Sequence, residues 1–365
     1  MKTSATSSLK VSVCVPAFER GDYLQVLIES VRRQDGADHE LCIADDSVTD
    51  AVECRAAAAR QQGLRINYER NSTSLGFAAN LWKAMSMATG DVLVVLGDDD
   101  LFVDASALST YADAFQRNPS VHFCCSNLLQ VDETLRVTLA YPVATTRELF
   151  LHAGDASLRG AWLNSIVITG LGFRRSDLLT HYYPHEQLSP GVDRLFPQVE
   201  LVGRLLLEHD ALLIGRYLCG FRAHEGQLGF KAARGSVGGR VAAHPLVELP
   251  AIAERLAATC PKSGPLFAEI CTADRSRRWT DVVNERIQVG VGPTRRRVLN
   301  YVRAQGARPR MLGLVLVVSL ASLLPRPVLV TMKTGARVLI ARRRLRRAGI
   351  DSNYARRFVG ELAER

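Results

Sequence analysis

The run Val92-Leu93-Val94-Val95-Leu96-Gly97-Asp98-Asp99-Asp100 places five apolar residues ahead of a glycine and three consecutive carboxylates. Bringing three like charges to one turn behind a buried strand is costly unless a cation gathers there. A hard divalent ion, Mg2+ or Mn2+, taking carboxylate and phosphate oxygens relieves the repulsion, and bridging a nucleotide diphosphate is its commonest use in such a setting. The plainer reading is a turn or helix cap, a role in which Asp is frequent. Two further polar clusters also follow apolar runs: Pro16 to Glu19 after Val11 to Val15, and Asp45-Asp46-Ser47 after Leu41 to Ala44.

The elements that must position these residues are visible in the hydropathy pattern. After the first apolar run, Tyr23, Val26, Leu27 and Val31 recur at helical spacing. Val52 to Gln62 reads as an Ala-rich helix closed by Gly63, Ile66 to Tyr68 as a short strand, and Phe77 to Thr89 as a helix stopped by Gly90. This alternation predicts an α/β fold with a Rossmann-like, mostly parallel sheet flanked by helices. In open α/β sheets ligands bind at the carboxyl ends of strands, so the three polar clusters are expected to converge on one crevice. Further on, the pattern predicts a hairpin around Leu128 to Leu139 and a helix through Val199, Val202, Leu205, Leu206 and Leu207.

With 365 residues the chain has room for one catalytic domain and an appended segment. Its eight cysteines lack paired metal-ligand spacing, several lie in apolar runs, and the first ten residues are polar rather than signal-like. Reduced core thiols and a cytoplasmic location are the expectation. The net charge of +9 is concentrated in the tail, where Arg295 to Arg365 carries 17 Lys and Arg against three acidic residues. Met311 to Leu324 is apolar, too short to span a bilayer as a straight helix, and is followed by Pro325-Arg326-Pro327 and the basic run Arg342 to Arg347. That combination predicts a helical, basic, peripheral membrane-associating segment at the inner face of the cell membrane, the alternative being a buried C-terminal helix. No aromatic-interleaved basic patch points to nucleic acid.

The ordered set of Val11 to Arg20, Ala44 to Asp50, Asn71, Leu75-Gly76-Phe77, Asn80, Ala88-Thr89-Gly90-Asp91 and Asp98 to Asp100 resembles the family 2 glycosyltransferases of the GT-A fold. The likeness is close over roughly Lys10 to Ala114 and looser to about Phe230. It implies a GT-A catalytic domain over residues 1–240, with a nucleotide-sugar-binding half at 10–115 and an acceptor half at 116–240. A helical extension at 241–305 and the apolar and basic segment at 306–365 would follow.

The same resemblance implies an inverting glycosyltransferase, with a nucleotide sugar as donor and a glycan or lipid-linked acceptor, in assembly of the envelope polysaccharide or O-antigen type. Pro16, Ala17, Glu19 and Asn80 would line the nucleotide pocket, and Asp45 or Asp46 would take a hydrogen bond from the base. Asp98 and Asp100 would face the diphosphate and metal, with Asp99 directed elsewhere. Arg222 would fork onto phosphate, and His224 would be an additional metal ligand. Asp193 would be the base that deprotonates the acceptor, with Glu200 and Glu186 as rivals. Trp162 beside Asn164 and Ser165 reads either as a sugar platform or as core. A non-catalytic nucleotide-sugar-binding scaffold of the same fold is the alternative. A nucleotidyltransferase is disfavoured by the lack of a Gly-rich phosphate loop near the first strand.

Overall fold

All seven residues of β1 (Val11–Ala17) are buried, as a strand covered on both faces requires. It forms the centre of a parallel block in the order β3-β2-β1-β4, with β2 at His39–Asp45, β3 at Ile66–Arg70 and β4 at Val92–Val95. The crossovers are helices α1 (Gly21–Arg32), α2 (Ala51–Gln61) and α3 (Phe77–Ser86). Helix α1 buries Leu24, Leu27, Ile28 and Val31 in the same core as Val11, Val13 and Val15. Gly21 opens α1 where a Cβ would meet the Ala51 carbonyl oxygen at 2.8 Å, so only glycine permits this approach of α1 to α2. The computed structural model describes residues 9–178, 196–224, 245–277, 292 and 324–360.

Beyond β4 the sheet departs from the mostly parallel expectation. The strands concerned are β5 (Leu101–Phe102), β6 (Val121–Val131), β7 (Val137–Tyr141), β8 (Glu148–Leu151), β9 (Leu171–Arg174) and β10 (Asp210–Arg222). Strand β9 lies between β4 and β6, antiparallel to both. Strand β10 runs parallel to β6, while β5 and β8 pair antiparallel with β10, and β7 with β6. The described sheet is therefore mixed. The physical reason lies in the connections, because antiparallel neighbours need no crossover helix and β6 returns directly into β7. The expected hairpin and the expected helix are both present, the latter as Pro197–Glu208. Helix α4 (Ala107–Arg117) precedes the hairpin and α5 (Asp155–Ala161) follows it, so the Pro197–Glu208 helix is α6.

Two compact units divide the chain: Met1–His224 together with Leu345–Arg365, and Glu225–Arg344. In the first unit the C-terminal residues complete a second core, where Ile350, Ala355 and Val359 join Val26, Leu129, Val131 and Val137. The Val137 amide donates to the Ser352 carbonyl at 2.8 Å, and Arg33 Nη1 donates to the Phe358 carbonyl at 2.9 Å. These residues were placed by sequence within the apolar and basic 306–365 segment.

The second unit contains α7 (Pro245–Thr259) and α8 (Gly264–Arg277), with Leu249, Ile252, Leu256, Phe267 and Ile270 buried. Helix α9 (Arg326–Ala348), whose residues to Arg344 belong to this unit and whose last four belong to the first, leaves Val328, Val338, Leu339 and Ile340 exposed. Among the described residues no helix is long and apolar enough to cross a membrane.

Candidate active site

The β4 strand delivers Asp98, Asp99 and Asp100 into a buried turn, each at most 5% exposed. A Cβ on Gly97 would lie 2.8 Å from carboxylate oxygens of both Asp99 and Asp100, so the turn can fold its acids back over this position only with glycine there. The three carboxylates have different partners. Asp98 Oδ1 receives Arg20 Nη1 at 2.7 Å and its Oδ2 receives the Phe18 amide at 2.8 Å. Asp99 Oδ2 meets the same Arg20 nitrogen at 3.1 Å and His224 Nε2 at 2.8 Å. Asp100 is enclosed by the chain itself, accepting from the Thr169 hydroxyl, the Gly97 amide and, at 2.9 Å, the Arg222 amide. Burial pushes Asp98 up to about 6 against the pull of Arg20, and burial with the neighbouring Asp99 charge pushes Asp100 well above the usual carboxylate range.

The other two clusters join this turn through an unbroken line of hydrogen bonds. The Asp46 amide donates to the Ala17 carbonyl at 3.0 Å. Asn80 Nδ2 reaches the Ala17 and Ala44 carbonyls at 3.2 and 3.0 Å, fixing the ends of β1 and β2. Asp46 gathers the Asn71 side chain, the Ser74 hydroxyl and the Leu75 and Gly76 amides, all within 2.9 Å, and so shapes the loop before α3. Asp45 accepts from the Ser47 amide and the Tyr68 hydroxyl. Glu19 accepts from the Val48 and Thr49 amides. Pro16 and Ala17 end β1 at this edge. Convergence on one edge is thus observed, but Glu19, Asp45, Asp46 and Asn80 already serve as loop fasteners.

Arg222, the expected phosphate fork, is engaged within the chain. Its guanidinium is stacked 4.5 Å from the Tyr23 ring centroid, its Nε donates to the Asp99 carbonyl at 2.9 Å, and the residue is 2% exposed. Burial lowers its pKa from the ordinary value. It braces the acidic turn. His224 follows at the end of β10, edge-on to Tyr23 at 4.8 Å. Trp162 is fully buried and donates to the Val199 carbonyl at 2.9 Å, which settles it as core. Glu200 is held by Arg204 one helical turn away at 3.1 Å. Asp193 and Glu186 lie outside the described residues.

Sequence reading missed Arg20, Tyr23 and Thr169. For the first two a signal existed, since the loop after the first strand and the first turn of the next helix face the crevice by the same rule that selected Pro16 to Glu19. For Thr169 there was none.

Among the described residues no group of three or more His, Cys, Asp or Glu side chains is arranged to hold a metal ion. The carboxylate and imidazole of Asp99 and His224, 2.8 Å apart and both buried, nevertheless make a two-residue set. That suits a Mg2+ or Mn2+ ion whose remaining ligands are phosphate and water oxygens. Asp98 and Asp100 fit such an ion less well, because both oxygens of each are already engaged by the chain.

Residues 12–181 match the model for glycosyl transferase family 2. The chain is 35% identical over 109 residues to the abequosyltransferase RfbV of Salmonella typhimurium, covering 28% of this chain and 33% of the relative. It is 32% identical over 102 residues to the GalNAc(5)-diNAcBac-PP-undecaprenol beta-1,3-glucosyltransferase of Campylobacter jejuni, again 28% and 33%. The alignments thus span about a third of the length of the curated relatives. Among solved structures, the mannosyltransferase PcManGT from Pyrobaculum calidifontis, in complex with GDP-Man and Mn2+, is 17% identical with a TM-score of 0.50. That alignment covers 92% of this chain and 87% of the other, a likeness of fold. This fold and the acidic turn at the end of β4 accompany a likeness to glycosyl transferase family 2 that covers residues 12–181, just under half of the chain.

Proposed function

We propose that the chain transfers a sugar from a nucleotide-sugar donor to an acceptor hydroxyl with inversion at the anomeric carbon. The observation that carries the reading is the Asp98–Asp100 turn at the carboxyl end of β4, with Asp99 paired to His224 and Arg20 lying across Asp98 and Asp99. Asp99 and His224 are the residues that would hold a divalent cation, with Asp98 alongside. Such an ion supplies the positive charge that a departing diphosphate needs. Asp100, Thr169 and Arg222 keep the turn in register, and the Pro16 to Glu19 and Asp45 to Asp46 loops form the nucleotide wall. Asp193 is the acceptor base, carried by the family resemblance.

The acceptor is a lipid-linked glycan, a reading supported by the undecaprenol-linked substrate in the name of one relative. It implies a place in envelope polysaccharide or O-antigen type assembly, at the inner face of the cell membrane. Exposed Val338, Leu339 and Ile340 run directly into exposed Arg342, Arg343, Arg346 and Arg347 on α9, a combination suited to an anionic lipid surface. The deciding experiment screens nucleotide sugars with Mn2+ or Mg2+ and a polyprenyl-diphosphate glycan, reading nucleoside diphosphate release and glycosylated lipid. Asp99→Ala is expected to abolish both signals. Donor binding without either signal in the wild type would assign the chain to a non-catalytic scaffold instead.

A further inference from the structure

The loop between β1 and α1 directs two adjacent residues in opposite directions. Glu19 has a φ of 58°, in the left-handed region that non-glycine residues seldom occupy, and its carboxylate turns outward to the Val48 and Thr49 amides. Arg20 turns inward and lays one guanidinium nitrogen across Asp98 Oδ1 and Asp99 Oδ2. The Arg20 side chain is 22% exposed, whereas those of Asp98 and Asp99 are 3% and 7% exposed. The guanidinium is therefore the more solvent-accessible partner of this ion-pair cluster.

Asp99 Oδ2 is also the oxygen that meets His224. A divalent ion at Asp99 and His224 would compete with Arg20 for that oxygen, and like charges at such separations repel strongly at the low effective dielectric of a buried turn. A diphosphate relieves the conflict, because a guanidinium forks readily onto phosphate oxygens.

We propose that Arg20 is the resident counter-cation of the acidic turn, holding Asp98 and Asp99 in the free protein and passing to the donor diphosphate as a divalent ion takes its place. Cation and nucleotide then bind as a pair. The inference rests on the cation-site reading above, and its test separates the two.

Mn2+ is titrated into the full chain and followed by water-proton relaxation, alone and with saturating GDP or UDP in separate runs. The wild type is expected to bind Mn2+ about tenfold or more tightly once its diphosphate is present. Arg20→Gln raises nucleotide-free Mn2+ affinity by about tenfold and loses most of that enhancement. Arg20→Lys keeps the weak nucleotide-free binding, since the charge remains, and loses part of the enhancement with the fork. Thermal melts establish that each variant is folded, and Arg20→Lys carries the test if Arg20→Gln is not.

If His224→Ala abolishes Mn2+ binding while both Arg20 variants behave as wild type, the role of Arg20 is overturned and the cation site stands. If no form of the protein binds Mn2+ with or without diphosphate, the cation site and the Arg20 role fall together.

Discussion

Asp98, Asp99 and Asp100 are chemically identical neighbours whose roles are separated by what each one touches. Asp100 is spent on Thr169, Gly97 and the Arg222 amide, and so ties the turn to β10 and to the segment before β9. Thr169→Val removes one of those donors from a buried carboxylate. The variant is expected to lose about 1–2 kcal/mol of unfolding free energy in a denaturant titration. His224→Ala removes a partner of Asp99 without breaking into a strand, and should change stability by less than about 1 kcal/mol. Its kcat/KM should fall by about 100-fold, the loss expected when electrostatic support of a leaving group is withdrawn. Steady-state kinetics and unfolding curves on the same two proteins check both outcomes, and a stability loss in His224→Ala as large as that in Thr169→Val would assign His224 a structural role. Composition singled out the three acids because consecutive carboxylates behind an apolar strand are expensive. It could not rank them, because their ranking depends on Arg20, Thr169 and His224, which lie between 69 and 126 positions away from them.

At the scale of elements, β1, β2 and β4 were legible because each is a short apolar run ended by polar residues, and burial on both faces leaves a continuous rather than alternating pattern. The antiparallel insertion of β9 was not legible, since Leu171–Arg174 owes its place to β4 and β6 rather than to its own sequence. Nor was the fastening at the opposite edge of the parallel block. There Glu40 on β2 accepts from Ser12 on β1 at 2.7 Å, from the Thr89 amide at 2.8 Å and from Lys10 at 2.7 Å, joining two strands to the turn that enters β4. Burial alone would raise the Glu40 pKa, but the Lys10, Ser12 and Thr89 bonds outweigh it and hold the carboxyl down from 4.5 to about 2. A depressed folded-state value stabilises the fold above the unfolded-state pKa, and that contribution is lost as pH falls from about 4.5 towards 2. Glu40→Gln should therefore cost about 1–2 kcal/mol at pH 7, after allowance for solvent screening of the half-buried Lys10. Urea titrations of both proteins across this range should show the difference shrinking as pH falls; a constant difference would mean that the ionised carboxylate is not what fastens the strands.

For the whole molecule, the uneven charge makes a claim that single residues do not. The chain carries +9 overall, yet Arg295 to Arg365 carries 17 basic against three acidic residues, so the part before it is net negative. Composition treated this tail as one membrane-associating piece. The structure divides it, with Ile350, Ala355 and Val359 buried in the first unit and Val338, Leu339, Ile340 and the neighbouring arginines exposed on α9. Burial of Ile350, Ala355 and Val359 is decided by partners such as Val26 and Val137, more than 200 positions away, which no local pattern announces. A chain ending at Arg344 should consequently melt lower than the full chain even without lipid, because three apolar side chains of the second core lose their places. Surface charge calls for a different variant, with Arg342, Arg343, Arg346 and Arg347 all changed to Gln. These side chains are exposed, so the melting temperature should stay within a few degrees of wild type. Each arginine near an anionic bilayer contributes about 1 kcal/mol, so losing four should weaken binding to phosphatidylserine vesicles by a factor of at least about 100. Wild-type binding should itself weaken steeply with added salt. Equal sedimentation of wild type and variant with those vesicles would remove the lipid surface as the partner of this helix, and would leave the arginines as a solvated face.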